Sequence, residues 1–176
     1  MDAQTLSNYG TFSEPATLTI QRMLPGTVER VWAYLTEGEL RRQWLASGDM
    51  ELTVGASFVL VWHNDELTDP PGRRPEGFGA EHSAECRITE LDIPRKLSFS
   101  WPGVGLVTFE LETRGDKVLL TVIHRQLPDH DTSQMVGAGW HMHLDLLVAR
   151  FTGVKPPPFW DGWASLKRDY ERIVPR

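Results

Sequence analysis

One stretch constrains the fold more than any other: residues 131–153, which read DTSQMVGAGWHMHLDLLVARFTG. Asp131 or Thr132 can cap the start of a helix there, and Gly153 follows its last turn, ahead of three prolines. The apolar residues recur at spacings of three and four, so they line one face of a long helix; they are Trp140, Leu144, Leu147, Val148 and Phe151. Such a face must cover another apolar surface.

Two glycines lie in the first half of this predicted helix, Gly137 and Gly139. Each costs about 1 kcal/mol relative to alanine in a helix interior. Their presence indicates a bend, a helix broken in two, or the close approach of another backbone.

Composition excludes several classes of function. A chain of 176 residues fits one domain. Its net charge of −6, with no run of lysine or arginine, argues against a nucleic-acid partner. Cys86 is the single cysteine, so there is no disulfide framework and no cysteine zinc site, and we expect a buried structural thiol.

Targeting signals are also missing from the sequence. No stretch approaches the roughly 20 apolar residues of a membrane span, and residues 1–16 lack the pattern of a signal peptide. We therefore expect a soluble, cytoplasmic protein without membrane insertion.

The first third of the chain predicts one strand and two short helices. Residues 1–15 are polar and aperiodic, so we expect them to be flexible. Residues 16–24 alternate as a strand does. A helix follows from Val28, and a second short helix covers residues 37–44, with Leu40, Trp44 and Leu45 facing inward.

Residues 48–124 then change to a period of two, which predicts a meander of antiparallel strands. The predicted strands are 49–53, 56–63, 82–91, 96–101, 105–113 and 118–125. One connection, residues 64–79 (NDELTDPPGRRPEGFG), is long enough to act as a lid. Val59 and Val61 alternate with the inward residues, so a second copy of the chain could cover them in a homodimer.

The chain ends in a further helix. Pro156 to Pro158 form a stiff joint, and residues 159–174 place Trp160, Trp163, Leu166, Tyr170 and Ile173 on one face. That face is too apolar to leave in water, so the helix must pack on the body. We predict a flexible segment (1–15), a two-layer α+β domain (16–153), and a joint with an appended helix (154–176).

Four segments read PGTVERVWAYLTEGELRRQWL (25–45), ITELDIPRKLSFSW (88–101), LTVIHRQL (120–127) and GWHMHLDLLVARFTG (139–153). Together they resemble the START-like, Bet v 1-like (SRPBCC) superfamily, in its branch named after the activator of the heat-shock protein 90 ATPase. The resemblance implies a helix-grip fold, in which a curved antiparallel sheet wraps a long C-terminal helix. It also implies an apolar cavity between the two, and it carries no family-wide catalytic residue.

Through that fold, strand alternation gives a set of candidate ligand-binding residues. They share the concave face of the sheet or face it from the long helix: Phe58, Leu60, Trp62, His82, Cys86, Ile88, Phe99, Trp101, Phe109, Leu120, Val122, His124, Trp140 and Leu144. Such a surface suits an apolar pocket with a few polar groups. The same residues could instead fill a solid core.

His124 is the candidate polar anchor, with His82 beside it, and either could hydrogen-bond a ligand or act as a general base. A core histidine satisfied by a neighbour is the alternative. His141 and His143 are two apart on a helix and point to different faces, while His141 with Asp145 falls short of a zinc site. We expect no metal, no other cofactor and no catalytic residue.

Three functions follow from these observations. The first is non-catalytic binding of a small hydrophobic or aromatic molecule in the cavity. The second is a chaperone-associated interaction module that uses the Trp160 and Trp163 helix. The third is a cyclase-, dehydratase- or hydrolase-type enzyme that uses His124.

Overall fold

The computed structural model describes residues 7–176, and its strands form one antiparallel sheet. The spatial order of the seven strands is β1-β2-β7-β6-β5-β4-β3. Their bounds are β1 Thr11–Ser13, β2 Thr17–Pro25, β3 Ser57–Trp62, β4 His82–Asp92, β5 Lys96–Trp101, β6 Gly105–Arg114 and β7 Lys117–Arg125. The sheet is curved, and its concave face carries most of the buried side chains of β2 to β7.

Four helices accompany the sheet: α1 Val28–Thr36, α2 Gly38–Arg41, α3 His130–Thr152 and α4 Phe159–Ile173, with a 3-10 turn at Asn64–Glu66. The long helix α3 lies against the concave face, with Leu144 and Leu147 fully buried. The predicted helix-grip fold, with two short helices after the first long strand and an added C-terminal helix, is thus confirmed.

The start of α3 differs from the prediction by two residues. Its cap is Asp129, whose carboxylate accepts a hydrogen bond of 2.7 Å from the Thr132 backbone N–H. Asp131, the predicted cap, is inside the first turn. The end is as predicted, because Gly153 adopts the left-handed conformation that closes a helix (φ 77°).

The two glycines do not break α3, which is continuous from His130 to Thr152. At Gly137 a Cβ atom would lie 2.7 Å from the ring of Tyr170, so this glycine admits an α4 side chain rather than another backbone. At Gly139 a Cβ atom would have nothing within 4 Å.

These two positions predict opposite effects of one substitution. Gly137→Ala should lower the free energy of unfolding by about 1–3 kcal/mol, because the methyl group would collide with a packed ring. Gly139→Ala should raise it by up to ~1 kcal/mol through helix propensity alone. Urea denaturation of both variants measures the difference, and equal gains in stability would contradict the packing of α4 on α3.

Three local predictions need correction. Residues 49–53 form no strand; the neighbouring Ser47 makes only an isolated bridge to Val61, so the segment has no partner to pair with. The second short helix covers only residues 38–41, and its inward side chain is Arg41 rather than the half-buried Leu40. Residues 11–13, expected to be flexible, pair with β2 as β1; residues 1–6 lie outside the described part.

A buried polar network holds the N-terminal segment and α4 to α3. The Arg22 guanidinium donates to Asp145 at 2.9 Å, and the Tyr170 hydroxyl accepts from the Gly10 N–H at 2.7 Å. The same hydroxyl is 3.0 Å from Nδ1 of His141, whose Nε2 is 3.4 Å from Asp145. Because most of these polar atoms have a partner, they tolerate burial, although Nε of Arg22 is buried without one.

Candidate ligand cavity

A cavity of about 410 Å³ opens between the edge of the sheet, α3 and α4. Its size is within the roughly 300–1,000 Å³ typical of small-molecule sites. The wall consists of Leu45, Trp62, Asn64, Gly77, Phe78, Gly79, Ala80, Glu81, His82, Trp101, Met135, Val136, Gly139, Trp140, His143, Phe159, Trp160 and Trp163. Five of the chain's seven tryptophans are among them.

The aromatic side chains of the wall pack on one another. Trp62 and Trp101 are stacked, with centroids 5.2 Å apart and an interplanar angle of 17°. Phe78 packs on Trp163 from across the mouth, at 5.3 Å between centroids, and is 41% exposed. Such walls offer flat, polarisable surfaces on which an aromatic ring can stack or meet an edge.

The long loop fixes α4 beside the cavity. Asp65 accepts a hydrogen bond of 2.7 Å from the Trp160 indole N–H, and Thr68 accepts one of 2.9 Å from the Phe159 backbone N–H. The first part of the loop therefore holds α4 in place. Its last part carries Phe78 between Gly77 and Gly79 and borders the cavity, while a lid function of the loop stays a prediction.

The structure separates the predicted binding residues into two sets. Trp62, His82, Trp101 and Trp140 border the cavity. The others are at most 4% exposed and lie outside its wall: Phe58, Leu60, Cys86, Ile88, Phe99, Phe109, Leu120, Val122, His124 and Leu144. They fill the core beneath the cavity. A second depression, of about 330 Å³ beside the proline joint, contains none of the predicted residues.

His124 has both ring nitrogens occupied. The Trp140 indole N–H donates to Nδ1 at 3.0 Å, so Nε2 carries the proton and donates to the Val104 carbonyl at 3.0 Å. Burial lowers the pKa of His124 to about 4, although the hydrogen bond to Val104 opposes this. The imidazole is therefore a neutral core group that orients Trp140, as in the alternative considered for it.

A second histidine, His143, borders the cavity together with the predicted His82. His143 lies on α3, one turn after Gly139, and its Nδ1 is 2.8 Å from the Trp44 carbonyl. Because a carbonyl only accepts, Nδ1 carries the proton and Nε2 of the neutral ring is an acceptor. Burial lowers the pKa of His143 to about 4, and within residues 7–176 Nε2 has no hydrogen-bond partner.

Asn64 is a second polar group on the same wall. Its Oδ1 is buried and receives no hydrogen bond from any residue of the described chain. Leaving a buried polar atom unpaired costs about 1–3 kcal/mol. Neither Asn64 nor His143 was a sequence candidate, and only the unusual length of the 64–79 loop pointed towards Asn64.

Other reactive groups offer little chemistry. Cys86 is buried, and burial raises the pKa of its thiol to about 12, so it stays protonated at neutral pH. In the described range of 7–176, no cluster of three histidine, cysteine, aspartate or glutamate side chains is arranged to hold a metal ion. Over the same residues, no helix has the length and apolarity to cross a bilayer.

Sequence comparison identifies the family. The profile described as Activator of Hsp90 ATPase homolog 1-like protein matches residues 25–152. The chain belongs to this family. The match also confirms the predicted branch of the START-like, Bet v 1-like superfamily, while no protein of curated function matches the chain.

Several solved structures are similar to this chain over more residues than the family profile covers. The protein encoded by gene BPP1335 of Bordetella parapertussis is 31% identical, with 97% of this chain and 93% of that one covered and a TM-score of 0.80. CalU16 from Micromonospora echinospora is 22% identical (91% and 89% covered, TM-score 0.67). DynU16, from the dynemicin biosynthetic locus, is 22% identical (80% and 48% covered, TM-score 0.58). The last two show the fold alone.

The family match ends before α4, yet α4 supplies part of the cavity. Phe159, Trp160 and Trp163 all belong to this helix, beyond residue 152. The cavity wall thus combines strands and helices that the family profile matches with a helix, α4, that lies outside the match.

Three buried histidines predict how stability depends on pH. Burial lowers the pKa of His124, His141 and His143 to about 4 in the folded protein, whereas histidine in an unfolded chain has a pKa of about 6.5. The unfolded state therefore binds more protons between these values, and stability falls as the pH decreases from about 6.5 to about 4. A melting temperature unchanged across this window would contradict the prediction, and His143→Asn should reduce the dependence.

Proposed function

We propose that the protein binds a small, largely apolar aromatic molecule in the cavity between sheet, α3 and α4. The observation that carries this proposal is the wall itself, in which five tryptophans surround about 410 Å³. Trp62, Trp101 and Trp140 come from the sheet and α3, and Trp160 and Trp163 from α4. A filled core would leave no such space, since interiors contain few voids larger than a water molecule.

The comparisons support a small-molecule role in one respect. DynU16, which shares the fold, is described as a protein in the dynemicin biosynthetic locus. A fold hosts many functions, so the proposal for this chain rests on its own cavity.

Binding without chemistry is favoured over an enzyme that uses His124. A general base needs a free lone pair within reach of the proton that it removes. Both nitrogens of His124 are engaged, by Trp140 and Val104, and the ring lies outside the cavity wall. A turnover assay is thus expected to show no activity that depends on this residue.

A protein partner would need a different surface from the one predicted. Trp160 and Trp163 are at most 6% exposed and face the cavity, so this side of α4 is not available for docking. The chaperone-like partner and the homodimer remain predictions. Val59, on the edge strand β3, is 45% exposed and is the residue to change when testing dimerisation by light scattering.

Mass spectrometry under native conditions tests the proposed function. The purified protein is measured as isolated and again after incubation with 1-naphthol as a simple aromatic probe, and any released molecule is extracted and identified. The proposal predicts one bound molecule per chain, either co-purified or added. A protein that stays empty in both states would overturn it.

A further inference from the structure

Two polar groups on the cavity wall are free to bind a ligand, His143 Nε2 and the side-chain NH2 group of Asn64, since neither makes a hydrogen bond within residues 7–176. The tautomer of His143 is fixed by its bond to the Trp44 carbonyl, so Nε2 can only accept. The Asn64 oxygen has almost no accessible surface, so Asn64 meets a ligand through its amide nitrogen, which can only donate. A ligand group that serves both must donate one hydrogen bond and be able to accept another.

The charge on the wall narrows the ligand further. Glu81 is the single carboxylate among the described lining residues, and no lysine or arginine is present there. No lysine or arginine side chain on the wall therefore offsets the cost of removing a negative charge from water. A fatty acid or other carboxylate would also bring an acceptor to Nε2, which is itself an acceptor.

Building on the proposed function, we infer that the ligand is a neutral aromatic molecule with a hydroxyl group of the phenol type. Its hydroxyl hydrogen is donated to His143 Nε2, and its hydroxyl oxygen accepts a hydrogen bond from the amide nitrogen of Asn64. The aromatic part stacks on the tryptophan wall. A hydroxyl meets the two requirements because it is both donor and acceptor, whereas a methyl ether can no longer donate.

Isothermal titration of the full chain with four matched probes tests this inference. The probes are 1-naphthol, 1-methoxynaphthalene, naphthalene and 1-naphthoate. We expect 1-naphthol to bind about 3- to 10-fold more tightly than its methyl ether, the factor that one neutral hydrogen bond gives. Naphthoate should bind most weakly.

Two variants test which wall residues cause the tighter binding of 1-naphthol. His143→Asn keeps an N–H for the Trp44 carbonyl but removes the Nε2 acceptor, and Asn64→Leu removes the amide at similar size. His143→Asn should reduce the ratio of the naphthol and methyl ether affinities towards one. Asn64→Leu should weaken the binding of both probes, because both oxygens can accept from the amide, and the affinity for naphthalene should change little in either variant. Unchanged affinity for 1-naphthol in Asn64→Leu would overturn the inference, which keeps the test valid if His143→Asn fails to fold.

The outcomes separate the two proposals. Binding of naphthalene and 1-naphthol with equal affinity, or a preference for 1-naphthol over its methyl ether that survives in His143→Asn, would overturn the hydroxyl inference and leave the aromatic cavity standing. Tighter binding of 1-naphthoate would also overturn it. If no probe bound, the cavity proposal would fail together with the inference.

Discussion

We expect replacement of Arg41 by methionine to lower the free energy of unfolding by about 3 kcal/mol or more, because each buried carbonyl left without a donor costs about 1–3 kcal/mol. Arg41 is 1% exposed and donates to the carbonyls of Leu35, Thr36, Ala46 and Gly48. Two of these carbonyls end α1, where no helical partner exists. Methionine would fill the space and leave them unpaired.

The same substitution should disturb the cavity. The segment held by Arg41 carries the Trp44 carbonyl, which fixes His143, and Leu45, which borders the cavity. Urea denaturation measures the stability, and Arg42→Met is the matched control. Arg42 is 58% exposed and pairs only with Glu39, so its loss should cost no more than about 0.5 kcal/mol. Equal effects of the two substitutions would contradict this account of Arg41.

Gly139→Leu should weaken aromatic binding strongly while the protein stays folded. Gly139 lies on the cavity wall, and a Cβ atom there meets nothing within 4 Å, so the leucine side chain would occupy the ligand's space. We expect affinity for 1-naphthol to fall roughly tenfold or more, because overpacking costs about 1–3 kcal/mol. Helix propensity favours leucine over glycine, so stability should not decrease.

Titration calorimetry and thermal melting of this variant give both quantities. Ser165→Leu adds the same side chain at an exposed position of α4 outside the wall, and it should leave the affinity unchanged. Enlarging Val122 or Leu144 would be less informative, since both are fully buried and the core itself would be overpacked. Normal affinity in a folded Gly139→Leu protein would place the ligand elsewhere.

The sequence predicted those features that depend on periodicity and local chemistry. The apolar stripe of α3 fits only a helix, and the alternation of β4 to β7 fits only strands. The predicted bounds of these elements therefore agree with the observed ones within a few residues. Alternation alone could not make residues 49–53 a strand, because a strand also needs a neighbour with which to pair.

The candidate site was less accessible to sequence reasoning. The alternation of side chains along β7 correctly placed His124 on the concave face. Its role, however, depends on hydrogen bonds to Trp140 and Val104, which are distant in the chain. His143 was set aside as one of two histidines on different helix faces, and its free acceptor follows only from the position of the Trp44 carbonyl. Burial of Arg41 likewise depends on carbonyls that converge only in the folded chain.

The most direct test of the cavity is a ¹⁵N-resolved NMR titration of the tryptophan indole N–H signals with 1-naphthol. The seven tryptophans divide into five on the cavity wall and two, Trp32 and Trp44, outside it. We expect saturable chemical-shift changes for the indole signals of Trp62, Trp101, Trp140, Trp160 and Trp163, with the other two signals nearly unchanged. Shifts confined to Trp32 and Trp44, or no shift at any indole, would contradict it.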